Sequence, residues 1–451
     1  MATKDAFTIY PPIQSYILAI RNNQNMSSKR PLDVIIFGAT GFTGSHTVYE
    51  SIKLLEDLKW GVAGRNVKKL AQILQEVGQK AGVDLSQTPM VIADVEDPDS
   101  LKKMAEQCRI VVNCCGPYRL YGEPVVKACI EAGTHHVDIS GEAHYMERMQ
   151  LLYHAPAQQK GVYVVSACGF DSIPGDMGIV FLENKFQGTV NSVETFLEKS
   201  LQSGGGALVH YGTWESAIHA LSDIKGLLAL RKQLFKSRLP SFQPVLKARP
   251  VLHRSKFVNG CWCLPRPGTD QSVVRRTQRY FYEKYKKRPV QMRAYLTFSS
   301  FFEVLSVILV GTVCGLLTWF KFGRRLLLKY PRFFSAGLVS HEGPSEEALK
   351  NTEFTIYIVG EGWDRSGNQL DSFEEPPNKR LVVKVSGTNP GYGATCVALL
   401  LSAKTILYQS DKMPASGGVL TPGGAFYNTN LIEELCKNGF KFETVNVATD
   451  K

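Results

Sequence analysis

The chain has 451 residues, 44% of them hydrophobic, with ten cysteines and a net charge of +11. This length is enough for two or three domains with packed cores, which excludes a largely disordered chain. The cysteines form no pair of CxxC motifs and no cluster with histidines at zinc spacing, so we expect reduced thiols and no metal site.

Residues 1–31 are predicted to form a flexible N-terminal extension. Residues 6–20 are apolar but are interrupted by Pro11 and Pro12, and they lack a basic start and a small-residue cleavage site. A secretory signal is therefore not indicated. The extension also lacks the Arg-rich amphipathic helix that is typical of a mitochondrial transit peptide, although a mitochondrial location stays open.

From Asp33 onward, short apolar runs alternate with stretches of helical spacing. The runs predict six buried strands, at 33–38, 59–64, 90–95, 109–116, 134–140 and 161–169. An alternation of strands and helices is typical of a parallel sheet with helices on both faces. Residues 32–186 are therefore predicted to form a Rossmann-type, doubly wound domain.

The turn after the first predicted strand is rich in glycine. Gly38, Gly41 and Gly44 are spaced GxxGxxG, with Thr40 and Phe42 between them. Glycines at this point let backbone amides approach a pyrophosphate at the N-terminus of the next helix, where the helix dipole favours negative charge. The buried strand before the turn and the helix after it favour dinucleotide binding over a merely structural turn.

The end of the second predicted strand indicates which dinucleotide binds. An NAD site usually has an Asp or Glu there. This strand instead ends at Gly64 and is followed by Arg65, which is placed to pair with the 2′-phosphate of NADP(H). The alternative is a solvated arginine at a helix start. Asp94, after the third strand, is predicted either to accept from the adenine amino group or to cap the next helix.

Polar residues also follow the later strands, whose carboxyl ends face the ligand in a doubly wound sheet. Three residues are predicted to lie along the nicotinamide half of the cofactor, unless they form only a tight structural loop: Asn113, Gly116 and Pro117. Tyr118, Asp138 and Asp171 are predicted to be the groups nearest the reacting carbon. Tyr118 would donate the proton that a reductase needs, but no YxxxK motif is placed to activate it. His144 and His210 are the alternatives.

The positive charge is concentrated in residues 225–293, which hold 18 Lys and Arg against Asp270 and Glu283. Residues 294–320 follow with a single charge, Glu303, and further basic residues continue to Arg332. Basic residues that flank an apolar stretch favour an anionic membrane surface over nucleic acid.

Three interpretations of residues 294–320 compete: a buried core helix, a single membrane span, and a hairpin or in-plane helix that inserts from one side. We favour the third, because the residues beyond 333 are predicted to complete the same fold, and a span would separate them from the nucleotide half. Gly311 and Gly315 would permit the bend. Such shallow insertion suits a lipid droplet or the cytosolic face of a membrane.

Several long motifs resemble the saccharopine dehydrogenase-like oxidoreductases of animals: FGATGFTG, AGRN, NCCGPYRLYGEPVVKACIEAG, VDISGE, GFDSIPGDMG and SVVRRTQRY. The resemblance covers residues 32–448, and this group is more distantly similar to bacterial trans-acting enoyl reductases of cell-wall lipid synthesis. It implies an inserted domain over 187–390 and C-terminal helices over 391–451 that return to the first domain. The predicted fold class is α/β, a Rossmann-type doubly wound parallel sheet with an inserted α/β domain carrying a hydrophobic membrane-associating segment.

The predicted function is that of an NADPH-dependent oxidoreductase at a membrane or lipid droplet, acting on a lipid-like substrate in lipid or glycolipid metabolism. One alternative is a cofactor-binding structural or regulatory protein of lipid droplets, which needs no proton donor. The other is a saccharopine reductase of lysine catabolism, which would need convergent Arg and Lys for a substrate with three carboxylates. No nucleic-acid partner is expected, and a homo-oligomer stays open.

Overall fold

The computed structural model describes residues 30–201, 207, 209–266, 268–365, 373 and 375–445. All but the last two residues of the predicted N-terminal extension, 1–31, lie outside these ranges.

The chain first forms six strands that alternate with helices, as the sequence predicts. The strands are β1 (Leu32–Phe37), β2 (Trp60–Gly64), β3 (Met90–Ile92), β4 (Cys108–Asn113), β5 (His135–Asp138) and β6 (Tyr163–Val165). The helices that follow them in turn are α1 (Phe42–Leu54), α2 (Val67–Ala81), α3 (Pro98–Glu106), α4 (Tyr118–Ala132), α5 (Ala143–Lys160) and α6 (Ser172–Lys185).

The middle of the chain adds a second group of elements. Its strands are β7 (Thr189–Leu201), β8 (Val209–His210), β9 (His253–Arg254), β10 (Trp262–Pro265), β11 (Gln291–Phe298), β12 (Val339–Ser340), β13 (Thr352–Trp363) and β14 (Lys379–Thr388). Its helices are α7 (Tyr211–Ser222), α8 (Ile224–Leu234), α9 (Thr269–Tyr285), α10 (Phe301–Thr318), α11 (Lys321–Lys329), α12 (Pro331–Phe334) and α13 (Glu346–Lys350).

The C-terminal part begins with a π-helical turn, Pro390–Ala394, that continues into α14 (Thr395–Gln409). A 3-10 turn, Ser410–Lys412, follows it. The remaining elements are β15 (Gly418–Leu420), α15 (Pro422–Phe426), α16 (Leu431–Lys437) and β16 (Lys441–Val445).

The first sheet has seven parallel strands in the order β15-β6-β5-β4-β1-β2-β3. Val34, Ile35 and Ile36 of the interior strand β1 are fully buried, because helices cover both faces of the sheet. The predicted doubly wound parallel sheet is therefore confirmed. Strand β15 was not predicted, because a three-residue strand is too short to show a period.

The second sheet has the order β16-β14-β13-β7-β11-β10-β9 and is mixed. Strands β7 and β11 are parallel, and the other neighbours are antiparallel. Strands β13 and β14 form a long antiparallel pair, from Glu353 opposite Thr388 to Gly362 opposite Lys379. The last strand of the chain, β16, also joins this sheet, so the C-terminal part contacts both sheets rather than returning only to the first.

Helix α14 is the longest of the C-terminal helices in the described part of 391–451. With the π-helical turn before it and the 3-10 turn after it, it forms a segment, Pro390–Lys412, that is apolar enough to cross a membrane by length and composition, but 78% of the apolar window of this segment is buried inside the protein. It contacts α1, where the hydroxyl of Thr47 lies 3.3 Å from the thiol of Cys396. This helix is therefore part of the core.

Helix α10 is apolar and exposed, with only 17% of its window buried. Phe302, Leu309 and Trp319 are 77%, 67% and 74% exposed, which excludes the buried core helix as an interpretation. The apolar segment also starts later than predicted, because residues 294–298 belong to β11, where Ala294 and Tyr295 are buried.

The bend of the segment is not at Gly311 or Gly315, which lie inside the uninterrupted helix α10. The chain turns after Thr318, and α11 packs back against α10. Gly323 permits this close approach, because a Cβ there would lie only 2.2 Å from the carbonyl oxygen of Leu317. We call α10 and α11 together the helical hairpin.

Candidate functional site

The glycine-rich turn between β1 and α1 has a shape that two of its glycines require. Gly38 has a φ of +80°, and a Cβ there would lie 3.0 Å from the backbone nitrogen of Cys115. A Cβ at Gly44 would lie 2.1 Å from the carbonyl oxygen of Gly38. Thr40 and Gly41 are exposed at the start of α1, so the turn leaves a shallow cradle of backbone amides at a helix N-terminus. Such a cradle fits a pyrophosphate.

Phe42, the first residue of α1, links the glycine-rich turn to the second half of the chain. Its ring stacks on His210, with centroids 5.0 Å apart, and meets Tyr392 edge-on at 4.5 Å. The ring therefore anchors the turn, and only the backbone of Phe42 remains for a cofactor.

The ends of β2 and β3 bring two predicted positions, Arg65 and Asp94, close to Cys115, which follows β4. Arg65 is exposed and Asp94 is half-buried, and both act on the thiol of Cys115 beside Gly38. Burial raises the pKa of that thiol to about 11, while Arg65 opposes this shift and Asp94 adds to it. An exposed guanidinium at this edge fits the 2′-phosphate of NADP(H).

Asp94 does not cap the next helix, which was one of its two predicted roles. Asp97 caps α3 instead, accepting from the backbone N–H groups of Asp99 and Ser100 at 3.1 and 3.2 Å. Asp94 accepts from the N–H of Glu96 at 3.1 Å within the preceding turn. The adenine contact of Asp94 stays a prediction.

Asn113 is fully buried at the end of β4. Its Oδ1 accepts from the N–H of Cys115 at 3.0 Å, and its Nδ2 lies 3.2 Å from Nε2 of His136. Asn113 therefore fixes the turn that leads to Gly116 and Pro117, whose peptide bond is cis. Gly116 is exposed at the edge where the nicotinamide half is predicted to lie.

Tyr118 is buried, and its hydroxyl donates to the carbonyl oxygen of Asn113 at 2.9 Å. Burial raises its pKa well above the ordinary value. Glu142 caps α4 by accepting from the N–H groups of Tyr118 and Arg119 at 2.9 and 3.0 Å. The hydroxyl of Tyr118 is thus committed to the protein, and its role as proton donor stays a prediction.

Asp138 is fully buried at the end of β5 and accepts four hydrogen bonds. The donors are the N–H groups of Ser140 and Ala167, at 2.9 and 3.2 Å, and the hydroxyls of Tyr145 and Ser166, at 3.0 and 2.8 Å. Burial raises its pKa, and these donors oppose the shift. Asp138 therefore ties β5 to the loop after β6, and its contact with the reacting carbon stays a prediction.

Asp171 lies at the end of the loop after β6 in a strained backbone conformation, with φ +79° and ψ −61°. Such a conformation costs about 1–3 kcal/mol and is often found at functional sites. Its Oδ2 is 2.7 Å from the guanidinium of Arg266, and its side chain is 39% exposed. Its Oδ1 has no hydrogen-bond partner in the described part of the chain.

Arg266 also contacts Asp270 at 2.7 Å, so two carboxylates share one guanidinium. The hydroxyl of Ser172 donates to Asp270 at 3.2 Å. Burial raises the pKa of Asp270 to about 6, although Arg266 opposes this shift, and the charge of Asp171 adds to it. The carboxyl edge of the sheet therefore has a carboxylic acid that the sequence analysis did not find. The only sequence signal was an i,i+4 pairing of Arg266 with Asp270, which is too common to indicate a site.

The two histidines considered as alternative proton donors have structural contacts. His144 lies 3.6 Å from Asp223, which also pairs with Arg119 at 2.5 Å. Nδ1 of His210 accepts from the N–H of Gly212 at 3.1 Å and caps α7. Burial lowers the pKa of both imidazoles.

Seven of the 18 basic side chains of the segment 225–293 form ion pairs with carboxylates of the protein or are buried. Five of its 18 cations pair with carboxylates in the described part of the chain: Arg231, Arg249, Arg266, Arg279 and Lys287. Arg276 and Arg288 are buried as well, at 5% and 4% exposure. The segment therefore offers less positive surface than its composition predicts.

Helix α7 lies between the carboxyl edge of the first sheet and the helical hairpin. On one side, the hydroxyl of Ser216 donates to Glu142 at 3.0 Å. On the other, the indole of Trp214 donates to the carbonyl oxygen of Leu327 at 3.1 Å. Ile218 is 1% exposed and packs with Cys314 of the hairpin. One helix thus connects the candidate site to the exposed apolar surface.

Comparison with known proteins identifies this architecture. Residues 34–165 match the family described as the saccharopine dehydrogenase NADP binding domain. The chain is 40% identical over 429 residues to the human saccharopine dehydrogenase-like oxidoreductase, covering 93% of this chain and 99% of that protein. The chain belongs to the saccharopine dehydrogenase-like oxidoreductase family. The resemblance noted in the motifs is confirmed, and the cofactor is NADP(H), as Arg65 predicts.

Two further similarities concern location and fold. A Caenorhabditis elegans lipid droplet localized protein is 36% identical over 417 residues, covering 91% of this chain and 97% of that one. The apo saccharopine dehydrogenase (L-Glu forming) of Saccharomyces cerevisiae superposes with a TM-score of 0.52 at 13% identity, covering 92% of this chain and 100% of that one. This second likeness shows a shared fold alone.

Proposed function

We propose that this member of the saccharopine dehydrogenase-like oxidoreductases is an NADPH-dependent reductase that acts on a lipid-like substrate at a lipid droplet or membrane surface. The observation that carries the proposal is the position of α7, which contacts Glu142 at the carboxyl edge and Leu327 in the hairpin. A substrate held in the surface layer would then need to pass only one helix to reach the cofactor. The droplet location of the worm relative supports the same surface.

When bound, NADPH supplies the hydride. Gly38, Gly41 and Gly44 would let its pyrophosphate approach the N-terminus of α1, and Arg65 would pair with its 2′-phosphate. The remaining predicted cofactor positions would contact the pyrophosphate, the adenine and the nicotinamide half in turn: Thr40 and Phe42, then Asp94, then Asn113, Gly116 and Pro117.

We propose that the proton comes from the cluster of Asp171, Arg266 and Asp270 rather than from Tyr118. The strained Asp171 keeps one oxygen without a protein partner, and Asp270 is protonated below about pH 6. A carboxylic acid with a pKa near neutrality is suited to general acid catalysis. Tyr118 and Asp138 would then be positioning residues, which shape the turn after β4 and the loop after β6.

The exchange Arg65→Ala is expected to weaken NADPH binding roughly 10- to 100-fold and to leave NADH binding unchanged, because it removes a charge-assisted contact to a phosphate that NADH lacks. Calorimetric titration of both nucleotides measures this. Lys102→Ala, which removes an exposed cation on α3, is the charge-matched control. Equal weakening of both nucleotides would contradict the role of Arg65, and failure of the unaltered protein to bind either nucleotide would contradict the enzyme proposal.

The exchange Asp270→Asn is expected to change how stability depends on pH. Because the pKa of Asp270 in the folded protein is about 6, above the roughly 3.9 of a free aspartate, folding is opposed as the pH rises from about 4 to about 6. The variant lacks this cost, so its free energy of unfolding should rise relative to wild type across that window and stay level above it. Chemical denaturation at a series of pH values measures the difference.

A second variant tests the coupling within the cluster. When Asp171→Asn is also present, the pH window over which Asp270→Asn raises the free energy of unfolding should end at a lower pH. The reason is that the charge of Asp171 raises the pKa of Asp270. If the effect of Asp270→Asn on the free energy of unfolding does not vary between pH 4 and 6, with or without Asp171→Asn, the assignment of the proton to Asp270 is wrong.

The ion pairs of the basic segment 225–293 with carboxylates of the protein do not favour the saccharopine reductase alternative. A substrate with three carboxylates needs free cations that converge on one site, whereas Arg231, Arg249 and Arg266 each contact a carboxylate of the protein. The non-catalytic alternative predicts NADPH binding without turnover, so a search for NADPH oxidation among lipid carbonyl and enoyl compounds separates it from the reductase.

A further inference from the structure

A basic pocket lies next to the helical hairpin. It has a volume of about 680 Å³. Its lining includes two cations, Lys329 and Arg332, two rings, Tyr330 and Phe333, and one carboxylate, Glu342. Helix α12 follows directly after α11, so the pocket is at the end of the hairpin.

We propose that this pocket binds the headgroup of an anionic phospholipid in the surface to which the hairpin docks. The proposal deepens the proposed function and rests on its membrane docking. Lys329 and Arg332 would pair with the phosphate, as basic residues beside an apolar anchor do at anionic membranes. Ser340 and His341, which also line the pocket, add a hydroxyl and an imidazole to the polar contacts.

The apolar part of the pocket favours a lipid over a free anion. Phe333 is 79% exposed and Tyr330 is 47% exposed, so both rings stand in the open beside the two cations. A free phosphate has no contact to make with exposed rings, whereas the acyl chains and glycerol of a lipid do. The pocket is also fixed to the hairpin, because Phe334 of α12 packs with Cys314 and Leu327.

Glu342 carries a negative charge in the pocket, so its removal should change the affinity for an anionic ligand in the opposite direction to removal of the cations. Its own backbone N–H and the hydroxyl of Ser340 lower its pKa, so it is ionised at neutral pH. A negative charge on the rim of the pocket repels a phosphate. Neutralising Glu342 should therefore tighten binding, whereas removing the cations should weaken it.

The experiment is a flotation assay of the full chain with vesicles of phosphatidylcholine, with and without a minor fraction of phosphatidylserine. It is run at low salt and at about 1 M salt, where the Debye length is only about 3 Å and diffuse attraction is screened. The test variant is Lys329→Ala/Arg332→Ala. The matched control is Lys321→Ala/Arg325→Ala, which removes two exposed cations from the same hairpin but outside the pocket.

At low salt both double variants should lose affinity, because each basic residue near an anionic surface contributes to attraction. At high salt only the pocket variant should remain weaker than wild type, by roughly 10-fold, and the preference for phosphatidylserine should vanish in it alone. Glu342→Gln should bind the serine-containing vesicles several-fold more tightly, with Glu347→Gln, outside the pocket, as its control. Equal behaviour of the two double variants at high salt would overturn the pocket proposal.

Two outcomes separate this proposal from the one it rests on. If the wild type fails to float with any vesicle, membrane docking itself is wrong. If it floats with phosphatidylcholine alone as well as with phosphatidylserine, docking stands and the headgroup site is wrong. A soluble competitor distinguishes the ligands: glycerophosphoserine should reduce binding, and an equal effect of inorganic phosphate at the same ionic strength would show a simple anion site and overturn the lipid assignment.

Discussion

Replacing Leu309 and Trp319 by aspartate is expected to detach the protein from lipid vesicles while leaving its thermal unfolding temperature unchanged. Both side chains are largely exposed, at 67% and 74%, so they contribute little to the folded core. Burying each in a lipid surface would contribute about 1.5–3 kcal/mol, so the loss of both should weaken binding by at least roughly 100-fold. Flotation and a thermal melt of the same samples measure the two effects.

The matched control for this experiment is Leu152→Asp on α5. Leu152 is also exposed, at 42%, but it lies on a helix of the first sheet. This variant should float like the wild type. If the double aspartate variant still floats, the hairpin is not the docking surface; if its melting temperature falls strongly, the exposed face of α10 is covered by protein in solution.

The exchange Gly44→Ala is expected to abolish the binding of both NADPH and NADH. A Cβ at this position would lie 2.1 Å from the carbonyl oxygen of Gly38 and 2.9 Å from Cα of Ala39. Since both neighbours are backbone atoms, the turn itself must shift, and its amides would no longer converge on a pyrophosphate. The loss of two charge-assisted hydrogen bonds corresponds to roughly 100-fold or more in affinity.

Gly315→Ala is the control for this substitution, because a Cβ there has no atom within 4 Å. It should leave nucleotide affinity unchanged. The pair also complements Arg65→Ala, which should affect NADPH alone, so the two predictions test the pyrophosphate cradle and the 2′-phosphate contact separately. Retained affinity for both nucleotides in Gly44→Ala would show that the glycine-rich turn is not the cofactor site.

The sequence was most informative where a short local pattern has one structural cause. The run from Leu32 to Phe37 has to be covered on both faces, and this fact alone predicts a central parallel strand. The glycines at 38 and 44 mark a turn whose backbone packs too closely for any side chain. The absence of an acid after Gly64, with Arg65 in its place, indicated NADP(H). Each of these inferences depends on neighbours within about a dozen residues.

The tertiary structure decided how distant residues combine. Asp171 and Asp270 are almost 100 positions apart, and both contact Arg266, which lies between β10 and α9 in the chain. The roles of Tyr118 and Asp138 also depend on partners that no local pattern marks, such as the loop after β6. The bend of the hairpin lies after Thr318 rather than at Gly311 or Gly315, because close packing of Gly323 on Leu317 sets it.

The sequence by itself thus determined the fold class, the cofactor and the presence of an apolar segment. Each of these depends on a short run of consecutive residues: the apolar run of a buried strand, the glycines that allow close packing of the backbone, and the apolar run of the hairpin. Only the tertiary structure showed that this segment is an exposed hairpin and that α7 connects it to the candidate site. It also showed that five of the 18 cations of 225–293 pair with carboxylates in the described part of the chain. Charge and exposure are properties of surfaces, and a surface is assembled from residues that are far apart in the chain.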